Sequence, residues 1–321
     1  MAAILPYTDD NIDLAVSMLR GGSVVAFATE TVYGLGANTF SEEAIARVYE
    51  LKARPGANPL IAHVVDLAMA KEVSEGWTRR ATHLAGACWP GPLTIIMHRR
   101  SSVPARAAGG LDTIAVRSPR HPLARGLLYG TGRPISAPSA NRSGGVSPTT
   151  AAHVAADYSG ESDLVVLDGG PCTVGIESTV VDLTTPKPLV RRLGSVTIER
   201  LAEIVGPIEV DIGSEQGASP GTALRHYAPK LPATLVDAAD LANSLASGSP
   251  AAVLCFDAAK VEAPHVRLVM PPEADAYASA LYDALRRADG TGCTRIVIER
   301  PSASAGVWSA ILDRLSRATA R

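Results

Sequence analysis

Cysteine is scarce. There are four in 321 residues, Cys88, Cys172, Cys255 and Cys293, far apart and with no CxxC pair. That spacing argues against a structural zinc site and gives no disulfide framework. Net charge is equally slight, -2 at pH 7. Such a balance makes no global electrostatic case for nucleic acid or a membrane surface. No apolar run is long enough to span a bilayer, and the N-terminus MAAILPYTDDNID lacks the basic start and apolar run of a signal peptide. The expected location is therefore cytoplasmic. The local signatures of covalent or zinc-dependent catalysis are also missing: no GxSxG, no HExxH and no local His/Cys set. Without GxGxxG and its acidic partner, a nicotinamide site is not expected.

What is present is an ordinary globular composition, 46% hydrophobic and 19% charged, long enough for one large or two ordinary domains. Hydrophobic periodicity predicts helices over 9–20, 41–52, 78–88, 149–158 and 197–205. Apolar runs at 23–29, 59–65, 89–97, 111–119 and within 163–195 read as strands. Some strands are joined by short turns, so the fold class is α/β with a mixed twisted sheet, not a purely doubly wound one.

Polar chemistry gathers at strand ends. KARPGANPLIAH (52–63) sets Lys52, Arg54, Asn58 and His63 in a turn-rich segment that enters a strand. Pro55 pushes Arg54 toward an extended backbone. The result reads either as a solvated loop or as a cationic rim suited to a polyphosphate. TETVYGLGA (29–37) carries hydroxyls at Thr29, Thr31 and Tyr33, and its glycines allow a sharp turn or close approach to a ligand. Arg117 ends an apolar strand, so it must be paired or face a ligand. PISAPSANRSGGVSP (134–148) offers Ser136, Ser139, Asn141, Ser143 and Ser147 among glycines and prolines. Such a stretch can cradle phosphate without a Walker lysine. Ser178 and Arg192 are polar positions on later strands.

Residues 213–230 are rich in Gly, Ser, Ala and Pro and lack a period. They read as a linker whose charged and aromatic end, RHYAPK, can fold back as a lid. Beyond it the pattern βαββαβα describes a small Rossmann-like unit with no visible active-site chemistry. The expected domains are 1–212, a linker or lid over 213–230, and 231–321.

Taken together and in this order, TETVYGLGA, KARPGANPLIAHV, WPGPLTII, AVRSP, SAPSANRSGGVSPT, GGPCTVGIESTVVDL and RRLG resemble the YrdC-like threonylcarbamoyl-AMP synthases, over about residues 7–205. The linker and the C-terminal unit resemble the longer, two-domain branch of that family. The resemblance implies a YrdC-like catalytic domain that joins L-threonine, bicarbonate or CO2, and ATP into threonylcarbamoyl-AMP with release of pyrophosphate. The product feeds N6-threonylcarbamoyladenosine in tRNA through a downstream transfer machinery.

By motif position, the resemblance assigns Thr31, His63, Arg117, Ala137 and Ser178 to threonine. It assigns Arg54, Asn58, Thr113, Ser139, Asn141, Ser147, Arg192 and Tyr227 to ATP. Lys52 and Arg54 carry the catalytic role, Arg225 and His226 join Tyr227 in the lid, and Mg2+ accompanies ATP with no dedicated metal cage. Ala28 stands where the family commonly has proline, and Arg120 where an acidic residue is usual. Two other readings compete: a double-stranded RNA-binding protein of the same fold, and the related domain of hydrogenase maturation proteins. The net charge does not favour the first, and the extra acylphosphatase and zinc-finger segments of the second are not visible.

Overall fold

The computed structural model describes residues 2–212, 226–246 and 248–320. Two sheets organise them. The larger has 12 strands: β1 (Ala3–Pro6), β2 (Val25–Phe27), β3 (Gly34–Asn38), β4 (Ile61–His63), β5 (Ser74–Glu75), β6 (Leu93–Arg99), β7 (Thr113–Arg117), β8 (Ile135–Ala137), β9 (Val165–Asp168), β10 (Thr179–Asp182), β11 (Leu189–Arg192) and β12 (Glu209–Val210). Their order is β1-β9-β2-β3-β8-β4-β7-β6-β10-β11-β12, with β5 paired to β6. Parallel pairs such as β4–β7 alternate with antiparallel ones such as β2–β3 and β6–β7, so the sheet is mixed as expected.

The helices of this domain are α1 (Asp9–Arg20), α2 (Glu42–Lys52), α3 (Leu67–Val73), α4 (Arg79–Cys88), α5 (Pro122–Thr131), α6 (Ala151–Asp157) and α7 (Ile198–Val205). Their ends follow local chemistry. The Thr8 hydroxyl accepts the Asn11 amide at 3.3 Å to start α1, and Ser41 does the same for Ala44 at 3.2 Å in α2. Ala15, Val16 and Leu19 bury one face of α1. Full burial of each larger side chain contributes about 1.5–3 kcal/mol. The sequence patterns do not announce β1, α3 or α5.

Strand β3 differs from the loop expected of TETVYGLGA. Gly34 and Gly36 lie in extended backbone at the sheet centre. A Cβ on Gly36 would sit 2.5 Å from the Phe27 ring and 2.8 Å from Ile135. Glycine is needed because a ring lies across the strand, not because the chain turns.

In the small domain, β13 (Ala233–Val236), β14 (Ala251–Cys255), β15 (Val266–Val269) and β16 (Arg295–Glu299) make a parallel sheet in the order β13-β16-β14-β15. Alternate residues serve its two faces. Val253, Cys255 and Val297 pack toward α8 (Leu241–Ala246), whereas Leu254, Ile296 and Ile298 pack with α9 (Ala274–Asp289) and α10 (Val307–Ala318). The second cluster also takes in Val32, Val146 and Ile176 from the large domain, so apolar packing continues across the domain boundary. Contact is tightest at Gly175, where φ is +74° and a Cβ would lie 2.4 Å from the Ser279 Cα of α9. At the margin, Arg286 meets Asp157 at 2.6 Å.

Candidate active site

A partly enclosed cavity opens where β4, β7, β8, β10 and β11 end beneath His226 and Tyr227. Sheet register assembles its walls. His63 and Arg117 are register partners on parallel β4 and β7, so both side chains leave the same face. Ala137 pairs with Ile61 across β8 and β4, placing its backbone beside them.

Arg117 is 3% exposed and already engaged. Its Nε donates to the Gly91 carbonyl at 3.2 Å and its Nη1 to the Thr31 hydroxyl at 2.7 Å. Nη2 stands 2.7 Å from Glu30 Oε1, an ion contact without hydrogen-bond alignment. Burial pushes the Glu30 carboxyl up, the Arg117 guanidinium pulls it further down, and the net shift is downward. Thr31 also bonds Thr29 at 2.9 Å. The Nδ1 of His63 lies 3.3 Å from the Ile135 carbonyl. A carbonyl can only accept, so Nδ1 carries the proton and Nε2 is a bare acceptor. Burial, with Arg117 nearby, pulls His63 down to about 3, so the ring is neutral.

On the other side, Arg192 holds Ser178 twice, Nε to its carbonyl and Nη2 to its hydroxyl, both at 3.0 Å. Thr94 meets the same hydroxyl at 2.7 Å. Burial lowers Arg192 from its usual value. Arg54 and Ser139 reach the wall. Arg54 is anchored by the Asn58 and Pro59 carbonyls, both at 3.2 Å, and burial draws it down to about 10. His226 and Tyr227 cover the cavity. Tyr227 is held at φ +60°, a conformation that costs a non-glycine residue of order 1 kcal/mol or more. Among the described residues, His226 Nδ1 and the Tyr227 hydroxyl are buried with no hydrogen-bond partner. Orphaned buried polar atoms beside a cavity mark a place for a polar ligand. The Ala228 amide donates to Gly144 at 3.0 Å, and those of Lys230 and Leu231 to Asp289 at 2.9 Å. Arg225 and the rest of the expected linker, 213–225, lie outside the described residues.

Five expected residues stand back from the wall. Lys52 is 1% exposed, and its ammonium donates to the Ser139 and Asn141 carbonyls at 2.5 Å. Burial pulls its pKa well below the usual lysine value. In this structure it braces the loop after β8 and is not among the residues that line the cavity. The Asn141 amide donates to Arg142 and Gly145 carbonyls at 2.7 and 2.8 Å, holding the same loop. Ser147 donates to Glu177 at 2.6 Å. Asn58 acts through its carbonyl, and Thr113 sits at the start of β7 opposite His98.

Sequence reasoning passed over Glu30 and Glu177, and it saw no site chemistry in the small domain. Glu177 lines the cavity, yet Tyr282 of α9 and Arg314 of α10 hold it at 2.8 and 3.0 Å. Burial raises its carboxyl, Arg314 and Arg192 lower it more, and it ends at about 2. One signal was available. Arg314 lies between Ile311 and Leu315 on the apolar face of α10, where a charge needs a buried partner. Among the described residues no group of three or more acidic, histidine or cysteine side chains could hold a metal ion. No helix among them is long and apolar enough to cross a membrane.

Known proteins share this arrangement. Residues 17–194 match the family described as "Telomere recombination", and residues 196–320 match "Threonylcarbamoyl-AMP synthase, C-terminal domain". The threonylcarbamoyl-AMP synthase of Bacillus subtilis is 38% identical, over 98% of this chain and 94% of its own. That of Pyrococcus abyssi is 36% identical, over 96% and 94%. A crystal structure of P. abyssi Sua5 complexed with L-threonine superposes with a TM-score of 0.91 at 34% identity, covering 99% of this chain and 97% of that one. With both domains matched and the whole length covered, the chain belongs to the two-domain threonylcarbamoyl-AMP synthase family.

Proposed function

We propose that the protein forms threonylcarbamoyl-AMP and pyrophosphate from L-threonine, bicarbonate or CO2, and ATP. The carrying observation is the convergence of Arg54, Arg117 and Arg192 with a neutral His63 in one partly closed cavity. The threonine amine adds to CO2 and loses a proton, giving a carbamate. A carbamate oxygen then attacks the α-phosphorus of ATP, and the α–β bridging oxygen leaves with pyrophosphate. Both reactants are anions, so the protein's part is positioning and charge stabilisation.

In this reading the threonine carboxylate takes N–H donors of Arg117 that remain beside its Glu30 contact. The threonine hydroxyl donates to His63 Nε2, and Thr31 and Ser178 complete that pocket. Arg54, Ser139 and Arg192 meet the phosphates, and the Ala137 backbone borders both ligands. Asn58, Thr113, Asn141 and Ser147 act one step behind, by shaping the nucleotide side. Residues 226–230 close over the bound ligands, with the Tyr227 hydroxyl turned to the nucleotide. Glu30 and Glu177 are both engaged by arginines, so Mg2+ fits as a partner of the ATP phosphates that keeps its own waters. The working units are 1–212 for catalysis, 213–230 as linker and lid, and 231–321. The product passes in the cytoplasm to a transferase acting on tRNA adenosine.

The test is pyrophosphate release from MgATP. The expected result requires both threonine and bicarbonate. Release that ignores threonine, or none at all, would overturn the reading, and salt-sensitive RNA retention in its place would support the RNA-binding alternative.

A further inference from the structure

A carboxylate in the wall of a polyphosphate site is an electrostatic fault unless something cancels it. Glu177 is that carboxylate, 6% exposed and lining the cavity beside Ser178 and Arg192. Its natural competitor for pairing is Arg192, whose guanidinium instead holds Ser178. The large domain supplies Glu177 with the Ser147 hydroxyl. The dedicated cation comes from the other domain. Arg314 is 1% exposed, donates from Nε to Glu177 Oε2 at 3.0 Å and from Nη2 to the Leu193 carbonyl at 2.8 Å, and lies 5.2 Å from the Tyr227 ring centroid. Asp313 at 2.7 Å and the Tyr282 hydroxyl fix the rest of the cluster. One side chain thus touches the wall acid, the residue after Arg192 and the cover.

We propose that Arg314 is a positioning residue of the catalytic site. It neutralises Glu177 so that the cavity accepts the triphosphate, and it leaves Arg192 on Ser178. The inference rests on the nucleotide reading above. Arg314 touches neither substrate. It acts through Glu177 and Leu193, so the small domain completes the charge balance of a site built on the large one. Removing its charge leaves an unbalanced buried carboxylate that repels phosphate and draws Arg192 away.

The experiment measures MgATP affinity of the full chain by calorimetry, with pyrophosphate release as a separate assay. Arg314→Met keeps the length and apolar packing but not the charge. It is expected to weaken MgATP binding about tenfold or more. Adding Glu177→Gln is expected to bring the affinity back to within about threefold of wild type, a rescue that a purely structural role does not produce. Unchanged binding in Arg314→Met, or a double variant no better than the single, overturns the proposal. If Arg314→Met does not fold, Arg314→Lys decides, since it keeps the charge but not the guanidinium geometry: MgATP binding within about threefold of wild type supports it, and a tenfold loss overturns it. A wild type that binds MgATP but shows no threonine-dependent turnover would sink the proposed reaction and leave this test intact.

Discussion

Arg54 stands at the cavity wall on a loop whose own carbonyls hold it. Arg54→Ala is therefore expected to lower kcat/KM for ATP by about 10- to 100-fold while shifting Tm by only a few degrees. Steady-state kinetics beside a melting curve checks both halves, and wild-type turnover would remove Arg54 from the site. His63 makes a pH prediction. Its folded pKa is depressed to about 3 from 6.5, so above 6.5 the folded and unfolded rings are both neutral. As pH falls below that, the unfolded state takes up the proton first and stability declines toward pH 3. His226, drawn down to about 3 by burial, adds to the same trend. Tm followed from pH 7 to 4 should fall less steeply in His63→Asn than in wild type, and identical slopes would show that the buried ring is not responsible. Arg117, His63 and Ser178 were legible as polar residues where apolar strands end. The acids of the site were not, because Glu30 reaches Arg117 from the loop after β2 and Glu177 is held by Arg314 of the second domain.

At the scale of elements, the loop after β8 shows two motifs joined by one buried ammonium. The lysine of KARPG and the asparagine of SANRSG are 89 residues apart and meet as donor and carbonyl. Lys52→Met is expected to destabilise the protein by about 1–3 kcal/mol, since it strands the Ser139 carbonyl and leaves that of Asn141 with only the Tyr158 hydroxyl. It should raise KM for ATP through loss of the Ser139 position. A variant with unchanged Tm and a collapsed kcat would return Lys52 to the phosphates. Helices such as α1 and α2 were readable end to end because hydroxyl caps and apolar spacing agree. Strand β3 was not, because its glycines answer to the Phe27 ring, a neighbour that no local pattern names.

For the whole molecule, two domains were visible in the change of pattern after the seventh helix, and the apolar packing between them was not. Val32, Val146 and Ile176 pack among α9 and α10 residues, and Arg286 ties the margin to Asp157. Calorimetric unfolding is accordingly expected as one cooperative transition, and two resolved transitions would mean that the domains melt independently. Gly175 adds a further consequence. Its backbone lies against Ser279 and Ala278 of α9 with no room for a methyl group between them. Any side chain at position 175 would have to displace the Ser279 and Ala278 backbone of α9, so the seam between the domains admits only glycine there.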